Sequence, residues 1–311
     1  MMETAPLYTD IARAPDGGAA YWLDTDDGVR IRVGVWNEGT RGTVLLMPGR
    51  TEYIEKYGLV VGDLQQRGYA TIVVDWRGQG LADRMLDDPD TGHVLKFADY
   101  QRDMAAMMQA ARDLEMPQPY YMLSHSMGGC IALRSLVDGL EVKASVFSAP
   151  MWGILIGPLM RPLARGIAWA TSTAGMGHKY APGTSAQSYV SVAPFEDNLL
   201  TADPDMYALL QEQIAAHPRF ALGGPSMNWL FEALTETRNL MAMEAPKVPA
   251  LTFLGTNERI VDTTAVIKRM QDWPDGRLEM VDGAEHEVLM EGPQTRTHLI
   301  DQTVDLFGQH S

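Results

Sequence analysis

The chain has one cysteine, Cys130, in 311 residues. A lone thiol excludes an intramolecular disulfide and a cysteine-rich zinc site, and gives no reason to expect an oxidising compartment. Positive charge is also scarce. Only 25 Lys and Arg stand against 40 Asp and Glu, for a net charge of −15. Such a surface repels phosphate backbones, so sequence-independent nucleic-acid binding is not expected. No run reaches the ~18 uninterrupted apolar residues of a membrane-crossing helix. The most apolar region, 144–170, is broken by Pro150, Pro158, Arg161, Pro162 and Arg165. The opening MMETAPLYTD has neither a basic nor an apolar segment, so no secretory signal is expected. Phosphate loops, dinucleotide fingerprints, metal-ligand spacings and internal repeats are missing too. These absences point to a soluble, cytoplasmic protein that needs no metal or other cofactor.

What is present is an alternation of strands and helices in a chain that is 46% apolar. Residues 29–36 alternate apolar and polar, as a half-buried edge strand would. Residues 43–48, 69–75, 119–124, 143–149, 248–255 and 277–282 read as further strands, several of them continuous apolar runs that suit burial on both faces. Helices are expected over 54–67, 98–115, 127–138 and 294–308. Strands separated by helices give right-handed crossovers and a mostly parallel sheet flanked by helices. The rhythm breaks between 150 and about 246, where the pattern is helical. The expected organisation is one α/β domain from 1–150 and 246–311, with a helical cap inserted at 151–245.

Ligands of open α/β sheets bind beyond the carboxyl ends of the strands. Ser126 lies there, in Ser124-His125-Ser126-Met127-Gly128-Gly129, between a buried strand and a helix. It is the one serine in the chain with glycine two positions later. A serine on so sharp a turn is held exposed, and the following helix offers N–H groups to an oxyanion. Ser124 stands where G-x-S-x-G has its first glycine. A serine hydroxyl needs a base, and the base an orienting carboxylate, in the chain order Ser, acid, His. His286 follows the last strand, whereas His298 falls in the last helix and His310 in the tail. The loop after the 248–255 strand offers Glu258 and Asp262; Asp262 also suits the cap of the next helix. For an oxyanion hole, the loop Met47-Pro48-Gly49-Arg50 supplies the Arg50 N–H, and Met127 after the nucleophile supplies the second donor. Asp75 and Asp83 are expected in turns and salt bridges around Arg77 and Arg84, and Cys130 as a buried packing residue.

The segments PGRTEYIEKY (48–57), DWRGQGLADR (75–84), SHSMGG (124–129), GTNERIVD (255–262) and GAEHEVLME (283–291) resemble the α/β-hydrolase superfamily, and within it the bacterial lysophospholipase and monoacylglycerol lipase group. The resemblance spans about 25–308. It implies the α/β-hydrolase fold, Ser126 as nucleophile, Glu258 as acid and His286 as base, with the Arg50 and Met127 amides holding the oxyanion. Pro48-Gly49 replaces the His-Gly of many relatives, Glu258 their Asp, and Gln79 the His of an RGHG motif.

Residues 151–195 contain no Asp or Glu but include Arg161, Arg165 and Lys179. Leu155, Leu159, Leu163 and Ile167 recur every fourth residue, with Trp152, Met160 and Trp169 nearby. Such a stripe either packs as cap core or lines an acyl-chain site. On the second reading Trp152, Leu155 and Leu159 are candidate substrate contacts, and the cap touches the inner membrane face transiently. The expected activity is hydrolysis of a single-chain lipid ester. A small-ester carboxylesterase or amidase, and a non-catalytic ligand-binding protein, are the competing readings.

Overall fold

The computed structural model describes residues 2–157, 166, 167, 169–171 and 174–311. Among them nine strands form one sheet in the order β1-β2-β3-β5-β4-β6-β7-β8-β9. They are β1 Glu3–Ala5, β2 Ala19–Asp24, β3 Arg30–Trp36, β4 Thr43–Met47, β5 Ala70–Asp75, β6 Tyr120–His125, β7 Ser145–Ser148, β8 Ala250–Gly255 and β9 Gly276–Val281. From β5 through β9 all neighbours are parallel; β1, β2 and β3 join antiparallel to one another and to β5. The helices Gly58–Gln66, Tyr100–Asp113, Met127–Val137 and Thr263–Gln271 connect successive parallel strands, and Pro293–Gln309 follows β9.

Side chains of β4 alternate between two cores. Leu45 and Met47 face one that includes Met104, Met107 and Ile131. Val44 and Leu46 face the other, with Val60, Leu64, Leu299 and Phe307. The sheet is thus covered on both faces, as the continuous apolar runs require.

Two expectations fail at the sheet's beginning. Residues 29–36 are not an edge strand: β3 lies between β2 and β5 and is almost wholly buried. Only Arg30, at its start, is partly exposed. Arg32 is fully buried; its Nε donates to Asp75 at 2.8 Å, and its Nη1 and Nη2 donate to Glu55 at 2.9 and 2.7 Å. The period-two pattern therefore marks a face stitched by ions, not by water. Asp75 consequently pairs with Arg32 and not with Arg77, which instead meets Asp103 and Asp27 at 2.8 Å each. Asp83 accepts the Arg30 N–H at 2.8 Å.

The described part of 151–245 adds no strand to the sheet, but it is not detached from it. Its helix Met227–Met241 buries Trp229, Ala233 and Leu240 in the same core as β3, β4 and β5. The helix Pro204–Ala216 buries Met206 and Leu209 in the opposite core. No described helix is long and apolar enough to cross a membrane.

Replacing Arg32 by Met leaves two buried carboxylates facing each other without a counter-charge. Breaking a buried ion pair in this way typically costs about 3–5 kcal/mol. Urea unfolding of Arg32→Met should show a loss in that range; a change below ~1 kcal/mol would remove the pair from the fold's supports.

Candidate functional site

Ser126 follows β6 and precedes the helix Met127–Val137, with φ 49° and ψ −116°. A side chain in that left-handed region is strained and must be held by its surroundings. Two glycines allow it. A Cβ on Gly128 would collide with the Met47 and Pro48 carbonyl oxygens, and one on Gly129 would come within 2.6 Å of Pro150. Ser124, in the position of the pattern's first glycine, fits because its hydroxyl is buried and turned to the Val146 carbonyl at 3.3 Å.

His286 and Glu258 arrive from the loops after β9 and β8. Those loops are joined: the Asn257 N–H donates to the Ala284 carbonyl at 3.0 Å. Gly255 lets them touch, since a Cβ there would strike the Ala284 and Glu285 carbonyl oxygens. Ser126 Oγ lies 2.9 Å from His286 Nε2, and His286 Nδ1 lies 2.7 Å from Glu258 Oε2. The other Glu258 oxygen accepts the Ile260 and Val261 N–H groups at 2.6 and 3.0 Å. The carboxylate folds back onto its own loop, which accommodates its extra methylene. Asp262, the rival acid, instead caps the helix Thr263–Gln271 by accepting from Thr264 and Ala265.

Burial raises the Glu258 pKa, but the His286 hydrogen bond, its charge and the two backbone donors outweigh burial, and the net shift is downward. An ionised Glu258 assigns the imidazole proton to Nδ1 and leaves Nε2 to accept from Ser126. For His286, burial disfavours the cation. The hydrogen bond and charge of Glu258, with Glu287 and Glu52 behind it, prevail and raise the pKa above the ordinary histidine value.

The loop after β4, where the sequence suggested an oxyanion donor, is close to the serine: a Cβ on Gly49 would sit 3.0 Å from Ser126 Cβ. Among the described residues nothing accepts the Arg50 N–H. Met127 opens its helix, where N–H groups have no intrahelical acceptor. Residues that sequence reasoning did not single out for this task, Glu52, Lys56 and Tyr57 first, hold this loop. Glu52 accepts the Gly49 N–H, the Tyr57 hydroxyl at 2.6 Å and the Lys56 ammonium. Lys56 also bonds Glu287 at 2.5 Å, and His125 Nε2 lies 3.4 Å from Glu287. Ligand atoms of Glu52, His125 and Glu287 come within 4.8 Å of one another, yet Lys56 already supplies a cation to both carboxylates. Burial pushes Glu287 up and His125 down, the latter to about 3, whereas Glu52 is held ionised by the Lys56 charge and the Tyr57 hydroxyl despite its burial. Gln79, in place of a His, donates to the Gly49 carbonyl at 2.7 Å and the Glu52 carbonyl at 3.1 Å. The Glu52/Lys56 spacing of four was the available signal, but Glu287 is brought to it only by the fold.

Ser126 and His286 open on a cavity of about 310 Å³. Its walls include Tyr53, Met151, Leu199, Leu210, Trp229 and Ile260. Trp152 is not among them. It is fully buried, stacks on Trp273 with centroids 5.9 Å apart and donates to the Gly129 carbonyl at 3.1 Å, so it is a core residue behind the elbow. Leu155 is 53% exposed and does not line the cavity either. Leu159 lies outside the described residues, as do Met160, Arg161, Leu163 and Arg165. Cys130 is buried and its thiol pKa is pushed up by burial, as befits packing.

A nine-stranded α/β sheet with a serine, histidine and carboxylate at its carboxyl edge defines a hydrolase of the α/β class. The family described as Serine aminopeptidase, S33 (Hydrolase_4) matches residues 38–293, and the chain belongs to it. Lysophospholipase L2 of Escherichia coli strain K12 is 31% identical over 280 residues, covering 86% of this chain and 81% of that protein. Probable lysophospholipase L2 of Haemophilus influenzae is 29% identical over 263 residues, covering 84% and 82%. In fold, a monoglyceride lipase of Saccharomyces cerevisiae superposes with TM-score 0.68 at 20% identity, over 93% of this chain and 95% of that one. A carboxyl esterase from Bacillus coagulans gives 0.76 at 13% identity, over 95% and 99%. The fold is the α/β-hydrolase fold, and the chain is an enzyme of the carboxylic ester hydrolase class.

Titration of the His286 ring by NMR should give a pKa above the ordinary histidine value. Glu258→Gln keeps the burial and removes the charge, so it should lower that pKa. An unchanged value would detach Glu258 from the imidazole.

Proposed function

We propose that this hydrolase cleaves the carboxylic ester of single-chain lipids, lysophospholipids or monoacylglycerols, through a Ser126-His286-Glu258 triad. The observation that carries this reading is the unbroken chain of hydrogen bonds from Glu258 to Ser126, opening on a large apolar cavity. Ser126 Oγ attacks the ester carbonyl as its proton passes to His286 Nε2. The Arg50 and Met127 amides receive the negative charge on the carbonyl oxygen. His286 then gives the proton to the departing alcohol, leaving an acyl-serine. It next takes a proton from water, whose oxygen attacks the acyl carbon, and returns that proton to Ser126 as the fatty acid leaves. Glu258 holds the tautomer and offsets the imidazolium charge.

We read 151–245 as a cap over this site, since Leu199, Leu210 and Trp229 come from it. The acid-free stretch 151–195, with exposed Leu155, Ile167, Met176 and Val192, suits brief contact with a lipid surface from the cytoplasmic side. Flotation with anionic vesicles should capture the protein, and reversing Arg161 and Arg165 to Glu should weaken capture. No capture by any vesicle would remove membrane contact from the reading.

Hydrolysis of p-nitrophenyl esters of increasing chain length tests the activity. Wild type should favour long chains, and Ser126→Ala should lose about three decades of rate or more. A short-chain preference would favour the small-ester reading, and activity surviving the mutation would exclude Ser126. Because the base must be neutral, kcat/KM should rise with pH through the raised His286 pKa, and Glu258→Gln should move that limb to lower pH.

A further inference from the structure

Arg50 lines the same cavity as Ser126 and His286, one residue after the glycine that abuts the serine. Its guanidinium is under-satisfied. Nη2 donates to the Gly223 carbonyl at 2.5 Å, Nε is sealed from solvent with no acceptor, and the group lies 5.3 Å from the centre of the Trp229 ring. No described carboxylate lies within 4 Å of it. Arg32, Arg77 and Arg296 each face carboxylates. Arg269 shares with Arg50 a buried Nε without an acceptor, but it donates to the Leu240 and Met243 carbonyls at the end of a helix and does not line the cavity. Burial alone lowers the Arg50 pKa, to about 10, which marks a cation without a counter-charge. The other cation of the cavity wall, Lys56, is already shared by Glu52 and Glu287.

An uncompensated buried charge is costly, and a site retains one most simply for a ligand of opposite sign. We infer that the Arg50 side chain binds the phosphodiester of the substrate head group, and so favours lysophospholipids over neutral monoacylglycerols. The inference rests on the proposed ester hydrolysis. In a lysophospholipid the glycerol backbone alone separates the scissile ester from the phosphate, so an ester at Ser126 brings the phosphate into the neighbourhood of residue 50. Nη1 of the guanidinium, neither sealed nor bonded among the described residues, is the donor left for a phosphate oxygen. The Arg50 backbone would serve the oxyanion while its side chain reads the leaving group.

The test compares 1-palmitoyl lysophosphatidylglycerol with 1-palmitoylglycerol in the same neutral micelles, for wild type, Arg50→Met and Arg50→Lys. The quantity read is the ratio of kcat/KM for the two esters within each variant. A displaced oxyanion loop slows both reactions and cancels from the ratio. Arg50→Met should lower the ratio about ten- to a hundredfold, chiefly through KM for the phospholipid, and Arg50→Lys should retain part of it. An unchanged ratio overturns the inference. So does an unchanged ratio accompanied by weaker inhibition by palmitate, which would assign the guanidinium to the product carboxylate. Wild type inert on both esters would overturn the ester-hydrolase reading instead. Calorimetric binding of hexadecyl phosphate against hexadecanol then judges Arg50 alone: loss of phosphate preference in Arg50→Met supports it, and its persistence overturns it.

Discussion

The site depends on one tight approach, that of the Ser126 turn against the end of β4. The helix after Ser126 starts so close to the Met47 and Pro48 carbonyls that Gly128 has no room for a Cβ. The contact holds the serine in a backbone conformation that L-residues rarely adopt. It also brings the loop after β4 beside the same serine, because Gly49 touches Ser126. Ser126 and the loop after β4 are therefore placed by one contact between two adjacent parallel strands, β4 and β6. Their shared register makes the arrangement rigid, and rigidity of this kind is what electrostatic stabilisation of a transition state requires.

A loop of residues 48–53 would not hold that position unaided, since it runs past the sheet's end without a strand partner. Its support is polar and buried. Glu52 gathers an amide, a phenol and an ammonium, and Gln79 takes two carbonyls of the same loop. Buried polar groups are useful only when fully satisfied, and these are satisfied largely by one another. The same layer acts on the base electrostatically, because Glu52 and Glu287 add to Glu258 in favouring the His286 cation. His125 lies between them with its ring 4.7 Å from that of His286, and burial keeps it neutral. The layer thus raises the basicity of one imidazole without charging its neighbour.

Ser126, Glu258 and His286 could be named from the sequence because each lies within a few residues of a strand's carboxyl end, where the topology alone brings them together. The parallel strands could be found because their apolar runs are continuous. Arg32 shows where such reading stops. Its place in an alternating pattern looks solvated, and only the three-dimensional pairing with Glu55 and Asp75 makes it core. The strand β1 gives no signal because it has three residues and none is buried; β2, second from the edge, is apolar but mostly only half-buried. Trp152 misled in the opposite direction. A large aromatic at the start of an insertion suggests a binding wall, but its indole fills the space behind the elbow between Phe147 and Trp273. Periodicity reports that a side chain is buried and does not report which cavity or core receives it.

The insertion between β7 and β8 is tied into the machinery it covers. The His286 and Glu287 N–H groups donate to the Leu199 and Leu200 carbonyls at 3.3 and 2.7 Å. Arg259, beside Glu258, reaches Asp197 at 2.7 Å and the Asn198 carbonyl at 2.8 Å. Arg50 holds the Gly223 carbonyl from the opposite wall. Swinging residues 197–201 away from the sheet would therefore strip the backbone bonds that orient the loop bearing His286. The stretch 151–195 has no acidic residue; among its described apolar side chains Leu155, Ile167, Met176 and Val192 are exposed, whereas Met151 and Trp152 belong to the core. The insertion therefore braces the site at two places: residues 151–155 bond the Ser126 turn and the loop bearing Glu258, and residues 197–201 bond the loop bearing His286.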